Sequence, residues 1–250
     1  MSLAEMAESS SRSFLTAEWR YLAMLNWEVE RQQLQPLVPA GTELDDWNGR
    51  LYASVVGFLF QKTRVLGMAV PFHADFEEVN LRFYVRRKTD RGFRRGVVFV
   101  KELVPRRLVA WVARRVYHEN YAAVPMAHEV VLRSDGSPAR AVYSWTDAGV
   151  EGRLHLTAGR GLRSLDAGSV EEFLAQHYYG YVRQPGGASL EYAVEHPPWQ
   201  TWPSEEAGFE ADVSSLYGGR FASALGRLPD VAFLAAGSAI RVRRGTKVSS

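Results

Sequence analysis

The chain has 250 residues, of which 46% are hydrophobic and 23% are charged, a composition typical of a soluble globular protein with a sizeable core. Its formal net charge of +2 and the scatter of its basic residues argue against nucleic acid as a partner. The absence of cysteine excludes disulfides and thiolate metal sites and favours a reducing compartment, so we expect a cytoplasmic protein.

The first third of the chain favours strands. Residues 14–30 are apolar and aromatic without glycine, and a loop with a turn follows them. Residues 50–60 predict a strand; this largely apolar run is about half the length of a membrane-spanning helix, so no membrane partner is expected. After a loop over 61–75, residues 78–87 and 94–102 predict the two strands of a hairpin.

One helix is predicted over residues 105–117. Pro105 suits the first turn of a helix, and apolar residues follow it at i, i+3, i+4 and i+8. We expect these residues to form a buried stripe. They are Leu108, Trp111, Val112 and Val116.

The remaining elements are several strands and a second helix. Strands are predicted at 128–133, 139–146, 152–158 and 188–196. Ser169 and Glu172 form a capping box, which predicts a helix from 170 through 181 with Phe173, His177 and Tyr181 on one face. Many closely spaced strands with two helices indicate a sheet closed on itself or folded over a helix.

The hairpin has one polar face. Asn80, Arg82 and Tyr84 alternate with apolar residues on the first strand, whereas its partner is apolar at every position from 97 to 100. A partner strand buried on both sides suggests that the polar face lines a cavity. A water-exposed face would produce the same alternation, so the pattern leaves both interpretations open.

The register of the hairpin decides which charged residue joins that face. A three-residue loop at 90–92 places Glu102 opposite Asn80. A slip of one residue, or a β-bulge, places Lys101 there instead. Both residues are candidates for chemistry, although a charged residue at a strand end is more often solvated.

Four segments carry a family resemblance: "EVNLRFYV", "GVVFVKELVP", "FLAQHYYGY" and "EHPPW". Together they resemble the YqjF-like family, a domain of unknown function whose fold is similar to that of acetoacetate decarboxylase. The resemblance implies a mainly β (α+β) fold, a closed antiparallel β-barrel or cone with flanking helices and a pocket inside. It covers a single domain over 14–243, with flexible termini at 1–13 and 244–250.

The resemblance also bears on mechanism. Decarboxylases of that fold carry a lysine pair whose first member forms a Schiff base, and this chain has Arg106 and Arg107 where the pair is expected. Guanidinium stays protonated and cannot act as an amine nucleophile. Among the four lysines, Lys101 and, less plausibly, Lys62 are the amines left to consider.

These residues support three hypotheses. The first is a protein that binds a small anionic or carbonyl ligand inside the barrel; the second is a lyase or hydrolase; the third is a structural, oligomer-forming barrel. No cofactor motif occurs, and the six histidines include no pair at metal-binding spacing, so neither a cofactor nor a metal is expected. The ligand-binding candidates are Asn80, Arg82, Tyr84, His177, Tyr181 and His196. The catalytic candidates are Lys101, Glu102 and His177.

Overall fold

The computed structural model describes residues 13–69, 73–116 and 118–248. The strands are β1 (Leu15–Glu28), β2 (Glu43–Leu44), β3 (Tyr52–Val65), β4 (Met68–Ala69), β5 (Phe76–Thr89), β6 (Gly92–Val104), β7 (Tyr121–Ala123), β8 (Met126–Leu132), β9 (Pro138–Asp147), β10 (Val150–Ala158), β11 (Arg163–Ser164), β12 (Tyr179–Arg183), β13 (Ser189–Glu195), β14 (Gln200–Glu210), β15 (Val231–Val242) and β16 (Thr246–Val248). The α-helices are α1 (Arg31–Leu34), α2 (Arg107–Val116), α3 (Val170–Ala175), α4 (Val213–Tyr217) and α5 (Ala222–Leu225). Short 3-10 turns lie at Gln35–Leu37 and Gly219–Phe221.

Seven strands close into a ring. Their order is β13, β12, β6, β5, β3, β1 and β15, and β15 pairs back onto β13 through Val194 with Val242. Every pairing in the ring is antiparallel except that of β12 with β6. The predicted closed, mainly antiparallel barrel or cone with flanking helices is therefore confirmed.

A second layer of sheet covers one side of the ring. It extends from β15 through β14, β10, β9 and β8. Tyr143 and Leu154 of this layer are buried against Val55 and Leu81 of the ring, and the Tyr143 hydroxyl donates to the Tyr21 carbonyl oxygen over 2.8 Å. Strand β5 is thus buried on both faces, so its apolar side meets the second layer and its polar side meets the barrel interior.

Helix α2 differs from its predicted packing. Leu108 is 46% exposed and Trp111 58% exposed, so the prediction that they form a buried stripe is wrong. The helix lies at the rim of the barrel and packs through the small side chain of Ala110, which is fully buried. Val112 and Leu108 border the barrel interior from this position, and the side chain of Val116 and residue 117 lie outside the described residues.

Helix α3 is shorter than predicted. Ser169 caps it by accepting a hydrogen bond from the Glu172 amide over 3.1 Å, as expected. The Glu172 carboxylate, however, accepts from the Gly168 amide rather than from the amide of the cap residue. The helix ends at Ala175 and the chain continues as β12, where a β-carbon on Gly180 would lie 2.2 Å from the Tyr192 ring. The helix prediction beyond residue 175 is therefore wrong.

Two further segments differ from the sequence interpretation. The predicted loop over 61–75 contains the end of β3, all of β4 and three residues that the structure does not describe. Within the predicted flexible end at 244–250, β16 pairs with β13; residues 1–12 and 249–250 lie outside the described part of the chain. The extent of the single domain stays a prediction. No helix in the described ranges has both the length and the apolar character needed to cross a bilayer.

We expect Gly57→Ala to destabilise the packing of the two layers. A β-carbon at residue 57 would lie 2.5 Å from the Tyr143 ring, and overpacking of this kind costs about 1–3 kcal/mol. Thermal unfolding should therefore show a Tm lowered by several degrees. Gly219→Ala is the matched control, because nothing lies within 4 Å of its β-carbon. Equal Tm values for the two variants would contradict this packing.

Candidate functional site

The barrel encloses a cavity of about 250 Å³. Aromatic side chains form much of its wall, among them Trp19, Phe58, Phe60, Phe76 and Trp199. Two polar groups interrupt this wall. The first, the basic group, consists of Arg82, His177 and His196; the second, the acidic cluster, consists of Glu78, Glu102 and Glu119. The cavity thus combines a large apolar surface with a few polar side chains, as ligand sites do.

The hairpin turn by itself would bring a lysine to this wall. Thr89 pairs with Gly92, whose φ is 107°, so the connection has two residues instead of the predicted three. Continued without interruption, this register would pair Asn80 with Lys101.

A β-bulge in β6 places Glu102, rather than Lys101, opposite Asn80. Phe99 pairs with Arg82 and Lys101 pairs with Leu81, so Val100 is the extra residue. Beyond the bulge, Glu102 pairs with Asn80 and faces the cavity beside it. The two-residue turn shifts the register of the hairpin by one residue, and the bulge shifts it back, so Glu102 pairs with Asn80.

Lys101 lies on the other side of β6. It shares the face of Leu81, and its Nζ lies 3.3 Å from a carboxylate oxygen of Asp147 on β9. Lys101 is not among the residues that line the cavity. The structure therefore separates the two candidates that the sequence left open, with Glu102 inside and Lys101 outside.

Arg82 is a buried cation at the centre of the basic group. Its residue is 8% exposed, and its Nη2 donates to the Leu174 carbonyl oxygen over 3.4 Å. Its guanidinium carbon lies 5.8 Å from the centre of the Tyr84 ring, and its Nε has no hydrogen-bond partner. Within the described ranges, no carboxylate forms an ion pair with it, which is unusual because buried charges are normally paired.

His177 lies beside Arg82, in the link between α3 and β12. Its ring is 4.6 Å from the Tyr84 ring and 5.2 Å from the Phe173 ring, measured between centroids. Nε2 of His177 lies 3.4 Å from a carboxylate oxygen of Asp45, and Nδ1 has no partner. Burial lowers the pKa of His177 from 6.5 to about 4, although Asp45 opposes this shift. The imidazole is therefore neutral at pH 7.

Glu78 is the best hydrogen-bonded member of the acidic cluster. It accepts from the Asn80 amide over 2.9 Å and from the Tyr121 hydroxyl over 3.1 Å. Burial nevertheless raises its pKa from 4.5 to about 7, because these hydrogen bonds and the charge of Arg82 only partly offset the loss of water.

The other two glutamates are less well satisfied. Glu119 accepts from the Tyr192 hydroxyl, and burial raises its pKa to about 7. Glu102 is 1% exposed and its Oε2 has no partner. Burial, followed by repulsion from Glu119 and Glu78, raises the pKa of Glu102 well above its usual range. The acidic cluster therefore shares protons near neutral pH.

Two predicted ligand-binding residues do not line the cavity. The Tyr84 hydroxyl is buried 2.6 Å from Ser54 Oγ, and Tyr181 of β12 donates to Glu191 of the neighbouring ring strand β13 over 2.8 Å. Tyr181 was expected on the helix face of His177, but it belongs to β12, which explains its different direction. His196 does line the cavity, stacked 4.2 Å from Trp199 between ring centroids.

The sequence interpretation missed several polar residues of the site. Glu78 lies two residues before Asn80 on β5 and therefore on the same face as Asn80 and Arg82. This alternation could have identified Glu78 from the sequence. Glu119 and Asp45 carry no local signal, because they reach the site through long-range packing. In the described part of the chain, no group of three or more His, Asp or Glu side chains is arranged to hold a metal ion.

The fold is acetoacetate decarboxylase-like. An acetoacetate decarboxylase-like enzyme from Sphingomonas wittichii RW1 matches with a TM-score of 0.65 at 16% identity, over 95% of this chain and 93% of that one. Acetoacetate decarboxylase from Legionella pneumophila matches with 0.63 at 12% identity, over 94% and 87%. The enduracididine biosynthesis enzyme MppR, complexed with pyruvate, matches with 0.65 at 12%, over 94% and 90%. Identities this low show the fold alone.

Sequence comparison assigns the family. The chain belongs to DUF2071, a family of uncharacterized conserved proteins whose model matches residues 16–239. It is 32% identical over 112 residues to the uncharacterized protein YqjF of Bacillus subtilis (strain 168). That alignment spans 44% of this chain and 45% of the relative, under half the length of each. The expected family is confirmed.

We expect the acidic cluster to make stability depend on pH. Because the pKa values of Glu78 and Glu119 are raised from 4.5 to about 7 on folding, the stability they confer is fully present below pH 4.5 and is lost as the pH rises through 7. Glutamine has nearly the shape of a protonated glutamate, so Glu102→Gln preserves the packing and removes one repelling negative charge. Its Tm should match that of the parent at pH 5 and exceed it at pH 8 by several degrees, since about 1 kcal/mol corresponds to roughly 2–4 °C in a chain of this size.

The exposed Glu151→Gln is the control for this measurement, and its Tm difference from the parent should be the same at both pH values. A Tm for Glu102→Gln below that of the parent at pH 8 would show that the cluster is stable when ionised.

Proposed function

We propose that the protein binds a small, largely apolar molecule through a carboxylate or carbonyl oxygen, which Arg82 holds inside the barrel. The observation that carries this proposal is the burial of the Arg82 guanidinium without a carboxylate partner in the described structure. An unpaired buried charge is costly. A planar guanidinium suits a forked contact with a ligand carboxylate, which would offset that cost.

The rest of the cavity is compatible with such a ligand. Its aromatic wall suits a hydrocarbon tail. The acidic cluster does not present three full negative charges to an anion, because burial raises the pKa of each of its carboxyls. Protonated glutamates can instead donate hydrogen bonds to a ligand oxygen.

Within the described structure, no lysine amine that could form a Schiff base lines this cavity. All four lysines fall within the described ranges, and none of them lines the cavity. Lys62 is paired with Glu18 at 2.6 Å, with 74% of its side chain exposed. Arg107, one of the two arginines at the expected lysine pair, is exposed at the start of α2. The proposed role is therefore binding without covalent capture of the carbonyl.

A second candidate function is proton transfer by a lyase or hydrolase. The unpartnered Oε2 of Glu102 beside Asn80 favours it, because a buried carboxyl with a raised pKa can give or take a proton near neutral pH. On this alternative the same ligand would be a substrate. The cytoplasmic location, the absence of nucleic-acid, membrane, metal and cofactor partners, and homo-oligomer formation stay predictions.

We expect 2-oxohexanoate to raise the Tm of the parent protein and not that of Arg82→Ala. A ligand at about 100 times its Kd stabilises the folded state by about 2.7 kcal/mol, and loss of the guanidinium should remove this effect. Arg160→Ala is the matched control, because Arg160 is exposed. Retention of the shift in Arg82→Ala would contradict the proposal. If no 2-oxo acid of three to eight carbons shifts the parent, the structural barrel becomes the better interpretation.

We expect borohydride reduction in the presence of pyruvate to leave the protein unmodified. MppR, a structural relative, is known in complex with pyruvate, which makes pyruvate a suitable probe. Intact mass spectrometry should show no adduct, because no lysine faces the cavity. A stoichiometric mass increase at Lys101 would show that β6 changes its register in solution.

A further inference from the structure

Asp45 and His177 form a buried pair beside the cavity. The side chains of both residues are 2% exposed, and Nε2 of His177 lies 3.4 Å from Oδ2 of Asp45. The same carboxylate accepts from Nε of Arg95 over 2.6 Å, and Arg86 lies 3.7 Å from its other oxygen. Burial raises the pKa of Asp45, but the hydrogen bonds from His177 and Arg95 outweigh it and hold the pKa below its usual value, so the carboxylate is ionised.

This pairing determines which nitrogen of His177 carries the proton. An ionised carboxylate only accepts hydrogen bonds, so Nε2 of the neutral ring must be the donor. Nδ1 is then a bare acceptor. Nδ1 has no hydrogen-bond partner, and His177 lines the cavity. A buried acceptor without a partner destabilises the folded state, and a hydrogen bond from a ligand donor would remove this cost.

Arg82 and His177 line the same cavity and lie beside the same aromatic ring. Both approach the ring of Tyr84, with the guanidinium carbon at 5.8 Å and the imidazole centroid at 4.6 Å from its centre. Oδ1 of Asn80, the next inward residue along β5, is a second acceptor without a partner. Arg82 can therefore donate hydrogen bonds to an anionic ligand oxygen. Nδ1 of His177 and Oδ1 of Asn80 are acceptors without partners in the same cavity.

We propose that Asp45 is a positioning residue that fixes the tautomer of His177, so that Nδ1 accepts a hydrogen bond from a hydroxyl next to the carboxylate held by Arg82. The site then selects 2-hydroxy acids over 2-oxo acids, because a 2-oxo group has no hydrogen to donate. This inference rests on the proposed binding function and specifies its ligand class.

Two variants test the inference. Asp45→Ala removes the acceptor that faces Nε2, so the proton is no longer confined to that nitrogen and both tautomers are populated. His177→Gln retains a donor toward Asp45 and has no atom in the place of Nδ1. Thermal unfolding of both variants establishes that they fold, and His177→Gln provides the test if Asp45→Ala does not fold.

The tautomer is measured directly by long-range ¹H–¹⁵N spectra of histidine-labelled protein, with His177→Gln used to assign the signal. Binding of 2-hydroxyhexanoate and 2-oxohexanoate is measured by calorimetry. We expect the proton on Nε2 alone in the parent and on both nitrogens in Asp45→Ala. We also expect a preference of about fivefold for the hydroxy acid in the parent, since one hydrogen bond is worth roughly 1 kcal/mol. This preference should be reduced in Asp45→Ala and lost in His177→Gln.

A proton on Nδ1 in the parent, or an unchanged preference in His177→Gln, would overturn the inference. If neither acid binds the parent, the proposed function fails and the ligand class fails with it, whereas the spectra still decide the role of Asp45. If both acids bind equally through Arg82, the function stands and the ligand class is wrong.

Discussion

The site depends on which residues of strand β6 face the cavity. Side chains alternate between the cavity and the second layer, so one inserted residue decides which charge faces inward. The insertion is Val100, whose carbonyl oxygen accepts from the Asn120 side chain over 2.8 Å. Because of it, Glu102 enters the cavity and Lys101 pairs with Asp147 outside. The acid–base character of the cavity thus follows from a local backbone irregularity.

The acidic and basic side chains inside the barrel differ in how their charge can be neutralised. Protons partly neutralise the acidic cluster near neutral pH, because burial, with mutual repulsion at Glu102 and Glu119, raises the pKa values of its carboxyls. Arg82 cannot be neutralised in this way, since guanidinium does not lose its proton. A ligand carboxylate at Arg82 would add a negative charge near the glutamates and favour retention of their protons. On the proposed function, ligand binding would therefore be coupled to proton uptake in this cavity.

The family resemblance implied the barrel, and the period of two along β5 identified its polar face but left open whether that face meets a cavity or water. The sequence could not predict the bulge at Val100, whose hydrogen-bond partner lies twenty residues away. The end of helix α3 was missed because Gly180 packs against Tyr192 of the neighbouring strand, a contact between strands rather than a local preference. Asp45 was missed for a similar reason, since it lies 132 residues from His177 in the sequence and meets it only in the folded structure.

The most direct test of the account is a crystal structure of the protein soaked with 2-hydroxyhexanoate. The account predicts the acid inside the ring, with its carboxylate within hydrogen-bond distance of the Arg82 guanidinium and its hydrocarbon tail against the aromatic wall. It would be contradicted by a crystal structure in which Arg82 is paired with a glutamate of the acidic cluster, or in which the acid is bound only on the outer surface of the barrel.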